Sequence, residues 1–132
     1  GNKEFLKKLI FAQVRNVLLN KSFHEVMDVD TGRAWRWPHL PWHAAGFIGF
    51  IVNGVFGIRY SEQGIQVHPC ILDEFEGAVL DSVPYQNAKF VFEIHGHGDS
   101  YTVKLDGNPL EGFFGKEMTG EHKVDIYAHE TE

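Results

Sequence analysis

The hydrophobic pattern changes period near residue 58, and that change constrains the fold more than any other feature of the sequence. Before it, apolar residues recur at helical spacing: Phe5, Leu6, Leu9, Ala12, Val14, Val17 and Leu18 fall near one repeat per 3.6 residues, with Lys3, Glu4, Lys7, Lys8 and Arg15 between them. A helix over 3–20 is therefore expected. After residue 58 the stretches GIQVHP, GAVLDSVPY, KFVFEIHG, SYTVKLDG and HKVDIYAHE alternate or run apolar over short spans. Gly, Asp and Pro separate them, so they read as five or six antiparallel strands. Phe90, Phe92 and Ile94 share one strand face, as do Tyr101, Val103 and Leu105. GHGDS, residues 96–100, reads as a hairpin loop, and Asp106-Gly107-Asn108-Pro109 as a second turn. Helices first and strands afterwards predict an α+β chain, with a helical hairpin over 1–57 and a small antiparallel β-sandwich over 58–132.

Between the two regions lies WHAAGFIGFIVNGVFGI, residues 42–58. Pro41 suits a first helical turn and Gly57 a terminator, so a second helix is expected between them. It is apolar nearly all round and should be buried on most sides, and Gly46, Gly49 and Gly54 would let neighbouring backbones come close. It falls short of the roughly 20 residues of a membrane span and holds His43 and Asn53, so no membrane span is expected. A two-helix unit cannot cover such a helix. A homo-oligomeric contact or a missing portion of a larger helical array is expected through 42–56.

Charge and cysteine content narrow the function. A net charge of −6 and a pI near 5.7 give no basic footprint, so no nucleic-acid partner is expected. Cys70 stands alone, which excludes an internal disulfide and a cysteine-based zinc site. Residues 1–22 are charged and amphipathic and show no leader pattern. No glycine-rich phosphate loop or dinucleotide pattern occurs, and no cofactor is implied.

Three places carry possible chemistry. DVDTG, residues 28–32, suggests a calcium loop, but Gly32 stands fifth and Arg33 sixth where an EF-hand needs an oxygen ligand and glycine, so it reads as an Asp-rich turn. His95 and His97, two apart on a strand, share a face and supply half of a cupin-like metal site. Asp99 and Tyr101 follow where such a barrel wants a glutamate, so the plainer reading is a polar strand end, and no metal ligand is assigned. Finally, all three tryptophans, Trp35, Trp37 and Trp42, fall in a stretch with Arg33, Arg36, His39 and His43. Aromatic rings stack on the apolar faces of sugars while Arg and His bond hydroxyls, so this is either a sugar-site wall or a packed corner.

Taken whole, FHEVMDVDTGRAWRWPHLPWHAAGFIGFIVNGVFGI resembles the end of the (α/α)6 barrel in six-hairpin glycosidases of the processing α-glucosidase and amylo-1,6-glucosidase-like kind. That pattern is a glutamate, five residues, Thr-Gly, a loop, and an aromatic residue with Ser/His-Ala-Ala opening the last inner helix. Here it reads Glu25, VMDVD, Thr31-Gly32, a loop, and Trp42-His43-Ala44-Ala45. The passage GVFGIRYSEQGIQVHPCILDEFEG and the strand pair ending in Asp106-Gly107 resemble the entry to the C-terminal β-domain that such enzymes share with α-L-rhamnosidases. The glutamate is usually followed by Asn-Tyr, whereas Val26-Met27 stands here. The resemblance covers roughly residues 3–112 and implies a C-terminal segment of an inverting glycosidase, with Glu25 as general base and Trp35, Trp37, Trp42, Arg36 and His43 contacting carbohydrate. The chain alone would then lack activity, because the barrel needs six hairpins and the acid lies in an earlier one. A periplasmic or secreted parent is compatible with it. The alternatives from the residues are a stand-alone carbohydrate-binding or accessory β-domain, and a metal protein using His95 and His97.

Overall fold

The computed structural model describes residues 2–131. The chain is α+β, as its hydrophobic pattern predicts, and divides into two compact units, Gly1–Ile51 and Val52–Glu132.

In the first unit, helix α1 spans Lys3–Asn20. Asn2 caps its start, the side-chain oxygen accepting from the Phe5 N–H at 3.0 Å, and Lys21 in the left-handed region ends it. The last helical residue then organises the loop beyond it. Asn20 Nδ2 donates to the Asn16 and Gly32 carbonyls at 3.0 and 2.9 Å, and its Oδ1 accepts from the Ala34 N–H at 2.9 Å. The loop thus folds back as two antiparallel limbs, joined by strands β1 (Val26–Met27) and β2 (Ala34–Trp35). The ladder continues through Glu25 N–H to Trp37 O at 3.3 Å and Leu40 N–H to Phe23 O at 3.0 Å. At its tip Asp28 Oδ1 accepts from the Asp30 N–H, the Thr31 N–H and the Thr31 hydroxyl, which makes DVDTG a self-satisfied turn.

Helix α2 spans Pro41–Gly49 and passes into a π-helical segment over Phe50–Val55. The expected continuous α-helix is therefore corrected: Gly49 ends the α-helical stretch and Gly54 lies within the π-helical one, and glycine has low helix propensity. The expected burial is also corrected. No residue of α2 is buried, and Trp42 and Ile48 are well exposed. Phe47 packs against Phe23, with ring centroids 5.7 Å apart. No helix among the described residues is long and apolar enough to cross a membrane.

The second unit opens with the hairpin of β3 (Ile58–Ser61) and β4 (Gly64–Val67). A sheet follows from β5 (Val79–Tyr85), β6 (Asn87–His95), β7 (Ser100–Leu105), β8 (Asn108–Pro109) and β9 (Thr119–His129), in the order β5-β6-β9-β7-β8. Phe114 joins hairpin and sheet. Its backbone exchanges hydrogen bonds with Ile65 at 2.8 and 3.0 Å, and its ring packs edge-on against Phe90 at 5.2 Å. Ala88, Phe90, Phe92 and Ile94 of β6 all point into the core with Val124 and Ile126 of β9.

Two expectations are corrected here. β6 and β7 are not hydrogen-bonded neighbours across the GHGDS loop, because β9 lies between them. One ladder is consequently parallel. β9 runs antiparallel to β7 and so must run parallel to β6, with Glu93 opposite Asp125 and Ile94 opposite Ile126. Insertion places the longest strand at the centre, where Val124 and Ile126 lose all exposure.

The Asp106-Gly107 turn has positive φ at both residues, as a tight hairpin with right-handed strand twist requires. Asp106 also braces β9, its Oδ1 accepting from the Lys123 N–H at 2.9 Å and its Oδ2 lying 2.7 Å from His122 Nδ1. The backbone bond from Lys123, then the bond to His122, hold the Asp106 carboxyl below its ordinary 3.8, and the bond to Asp106 raises His122 above 6.5. The His122 contribution to stability is therefore complete below pH 6.5 and is lost as pH rises through its elevated pKa. The Asp106 contribution is present above 3.8 and lost as pH falls through its depressed one. Thermal melts across pH should show both limbs, and Asp106→Asn should flatten them. Asp106 is half exposed, so solvent screening keeps the effect small. An unchanged pH profile in the variant would refute this account.

Candidate functional site

The antiparallel limbs of the first unit shape a surface depression of about 380 Å³ lined by Glu25, Trp37, Pro38, Leu40 and Trp42. Each residue has a local reason to be there. Glu25 is fixed by its own N–H on the Trp37 carbonyl. Trp37 precedes Pro38, which favours extended backbone. Arg36 and His39 flank this pair with φ of +56° and +63°. A side-chain-bearing residue enters that left-handed region at a cost of about 1–2 kcal/mol, and such strain tends to gather at functional sites. Ser22 holds the second of these turns, its hydroxyl accepting from the His39 N–H at 3.1 Å and lying 2.7 Å from His39 Nδ1. The two turns leave Trp37 69% and Trp42 63% exposed, although large apolar rings gain most from burial. The chemistry is that of one carboxylate beside two aromatic faces.

The site residues expected from the sequence separate into two groups. Glu25, Trp37 and Trp42 come together at the depression. Trp35 stands on β2 opposite Val26, and Arg36 lies at a left-handed turn; neither lines it. His43 does not line it either: its Nδ1 is 2.6 Å from the His24 carbonyl, which can only accept, so Nδ1 donates. The ring also stands edge-on to Trp42 at 6.4 Å. Pro38 and Leu40 complete the wall. Ser22 and Asn20 set its shape, and an ordinary polar residue at a helix end or in a loop gave no sequence signal.

In the second unit, His95 and His97 do not share a site. Gly96, with φ +72°, ends the alternation between them. His97 turns to Glu76 at 3.6 Å, while His95 Nε2 donates to Asp125 Oδ1 at 2.7 Å. Glu93, His95 and Asp125 form a grouping with the side-chain types and spacing of a metal site. Lys123 already bridges its two carboxylates and offsets part of their charge, with Nζ 2.7 Å from Glu93 and 3.1 Å from Asp125. Burial pushes the Asp125 carboxyl up, but bonds from His95 and Lys123 outweigh it and the net displacement is downward. The cluster is thus a bonded network on the polar face of the sheet, with His95 stacked on Tyr127 at 4.7 Å. A cation would have to displace the lysine. Compared with protein-family models and with curated proteins, the sequence matches none.

Proposed function

We propose that this chain is the C-terminal part of a glycoside hydrolase of the six-hairpin kind, contributing a carbohydrate-contacting wall and the general base but inactive alone. The observation that carries the reading is the pairing of Glu25 with the exposed rings of Trp37 and Trp42 around one depression. Rings stacked against a pyranose beside a carboxylate that can reach water is the arrangement glycoside hydrolysis needs. The resemblance of residues 23–58 to the last hairpin of such barrels supports the same assignment. An inverting reaction also needs a carboxylic acid about 6.5–9.5 Å from the base. Glu25 is the one carboxylate lining this depression among the described residues, so the acid comes from another part of the parent enzyme.

That single carboxylate also favours a second reading, a sugar-binding module without chemistry. Both readings predict that neutral oligosaccharides change the tryptophan fluorescence of the chain, and that Trp37→Ala weakens binding about tenfold, the size of one stacking contact. No fluorescence change with malto-, cello- or xylo-oligosaccharides would remove both. Polypeptide mass in the source cells separates them. A band several times larger than 15.0 kDa fits the hydrolase part, and one at that mass fits the module.

The apolar surface of the helical unit supports a partner. Phe5, Phe11, Leu18 and Leu19 of α1 and Ile48 of α2 are exposed. A hollow of about 230 Å³ is lined by Val14, Val17, Leu18, Phe23 and Phe47 alone. Surfaces of this kind are covered in stable proteins. The isolated chain should therefore dimerise or assemble further through this unit, raising its mass by light scattering. A monomer at high concentration would count against both a missing barrel and self-association.

A further inference from the structure

We infer that the β-unit carries a second carbohydrate-binding site, in the cleft between β4 and the β7–β8 edge of the sheet. The cleft has a volume of about 300 Å³, and its walls include Gln66, His68, Tyr101, Thr102, Leu110 and Glu111. This inference rests on the carbohydrate reading of the chain and extends it to a cleft whose lining includes neither Glu25 nor a tryptophan.

The fold builds the cleft from strand alternation. Tyr101 and Val103 share the face of β7 that looks toward the core. Val103 pairs with buried Ile126, but Tyr101, one step further out, pairs with Ala128 and remains 37% exposed. The strand edge is prolonged past β8 by the Leu110 N–H on the Val103 carbonyl at 2.9 Å, which brings Glu111 to the rim. On the other side, the His68 N–H on the Gly57 carbonyl at 2.9 Å fixes the end of β4 and carries Gln66 and His68 to the opposite wall.

The chemistry of the lining selects the ligand. The side chains of Gln66, His68, Tyr101, Thr102 and Glu111 make no hydrogen bond to any described residue, so their donors and acceptors face solvent uncommitted. No lysine or arginine lines the cleft, so an anionic ligand finds no counter-charge. Glu111 and His68 lack the third ligand that a bound cation requires, and they belong to no ligand grouping among the described residues. An amide, an imidazole, a hydroxyl and a carboxylate around one aromatic face suit a neutral polyhydroxylated ring. The ring stacks on Tyr101 and its hydroxyls bond to Gln66, His68 and Glu111. The volume lies at the small end of ligand pockets, which fits one or two sugar residues of a longer chain rather than a whole oligosaccharide.

Amide NMR of the labelled 132-residue chain tests this, with maltoheptaose, cellohexaose and xylohexaose as probes on the order of 10 mM, above a millimolar Kd. The expected result is a shift of the Gln66, Thr102, Leu110 and Gly112 amides with at least one probe. Tyr101→Ala should weaken that response about tenfold and Tyr101→Phe should keep it. Glu111→Gln, at an exposed position, should weaken it without altering the rest of the spectrum. Trp37→Ala should leave it unchanged. Shifts confined to the Trp37 and Trp42 indoles and the Glu25 amide would overturn the second site and leave the carbohydrate reading standing. Shifts confined to the cleft would support the second site and remove the tryptophan wall. Silence from all three probes would overturn both. A cleft response unchanged in Tyr101→Ala and Glu111→Gln would overturn this site.

Discussion

Gly57→Ala is expected to destabilise the β-unit by about 2–5 kcal/mol, a large share of the roughly 5–15 kcal/mol that holds a domain together. Gly57 has φ +66°, where a side chain adds about 1–2 kcal/mol of strain. The steric conflict is worse. A Cβ at this position would lie 2.0 Å from both the carbonyl carbon and oxygen of His68, and 2.3 Å from Pro69 N. These are backbone atoms and cannot swing aside. The His68 N–H also donates to the Gly57 carbonyl, and Ile58 pairs directly with Val67. Relieving the clash means parting the β3–β4 hairpin, which drags Ile58, Ile65 and Val67 from the core. Gly107→Ala provides the control, since it also has positive φ but nothing within 4 Å of its Cβ. Urea denaturation followed by circular dichroism should show a much lower midpoint for Gly57→Ala and only a small fall for Gly107→Ala. Equal midpoints for the two would show that the close approach at Gly57 does not hold the hairpin.

In the longer enzyme proposed as its parent, Glu25→Gln should lower kcat by about 10²–10⁴-fold, the size of a general-base contribution. The amide has the shape of the carboxylate but cannot take a proton from water. Stacking on Trp37 and Trp42 survives, so KM should move little. The limb of the pH–rate profile that reports the base should disappear from the residual activity. The 132-residue chain itself should turn over nothing, because the acid partner is absent from the depression. Turnover by the purified chain that Glu25→Gln abolishes would show a complete active site within these residues. Unchanged kcat in the longer enzyme would return Glu25 to the role of a loop residue whose backbone bonds to Trp37.

The candidate site was legible in the sequence as a neighbourhood rather than a set: of its expected residues, Glu25, Trp37 and Trp42 line one depression. The spacing of Glu25, Thr31-Gly32 and Trp42 marked the segment. The choice of Trp37 and Trp42 over Trp35 depended on the left-handed turns at Arg36 and His39. No residue type demands that conformation at an arginine or a histidine. It follows from Ser22 and Asn20 pinning the opposite limb, contacts 14–17 residues apart. The cleft beside Tyr101 had no signal, because its walls come from strands that meet only in the folded unit.

What the sequence determined by itself is what neighbouring residues decide. The change of period at residue 58, the helix over 3–20, the turn at Asp106-Gly107 and the shared face of Phe90, Phe92 and Ile94 rest on backbone sterics and on side chains a few positions apart. Only the tertiary structure decided strand order. KFVFEIHG and SYTVKLDG look like hairpin partners, yet β9 enters between them, because centring the longest strand buries Val124 and Ile126 completely. That insertion made one ladder parallel and set Asp125 beside Glu93 and His95. It is a competition among strands for burial across the whole unit, and no local pattern records its outcome.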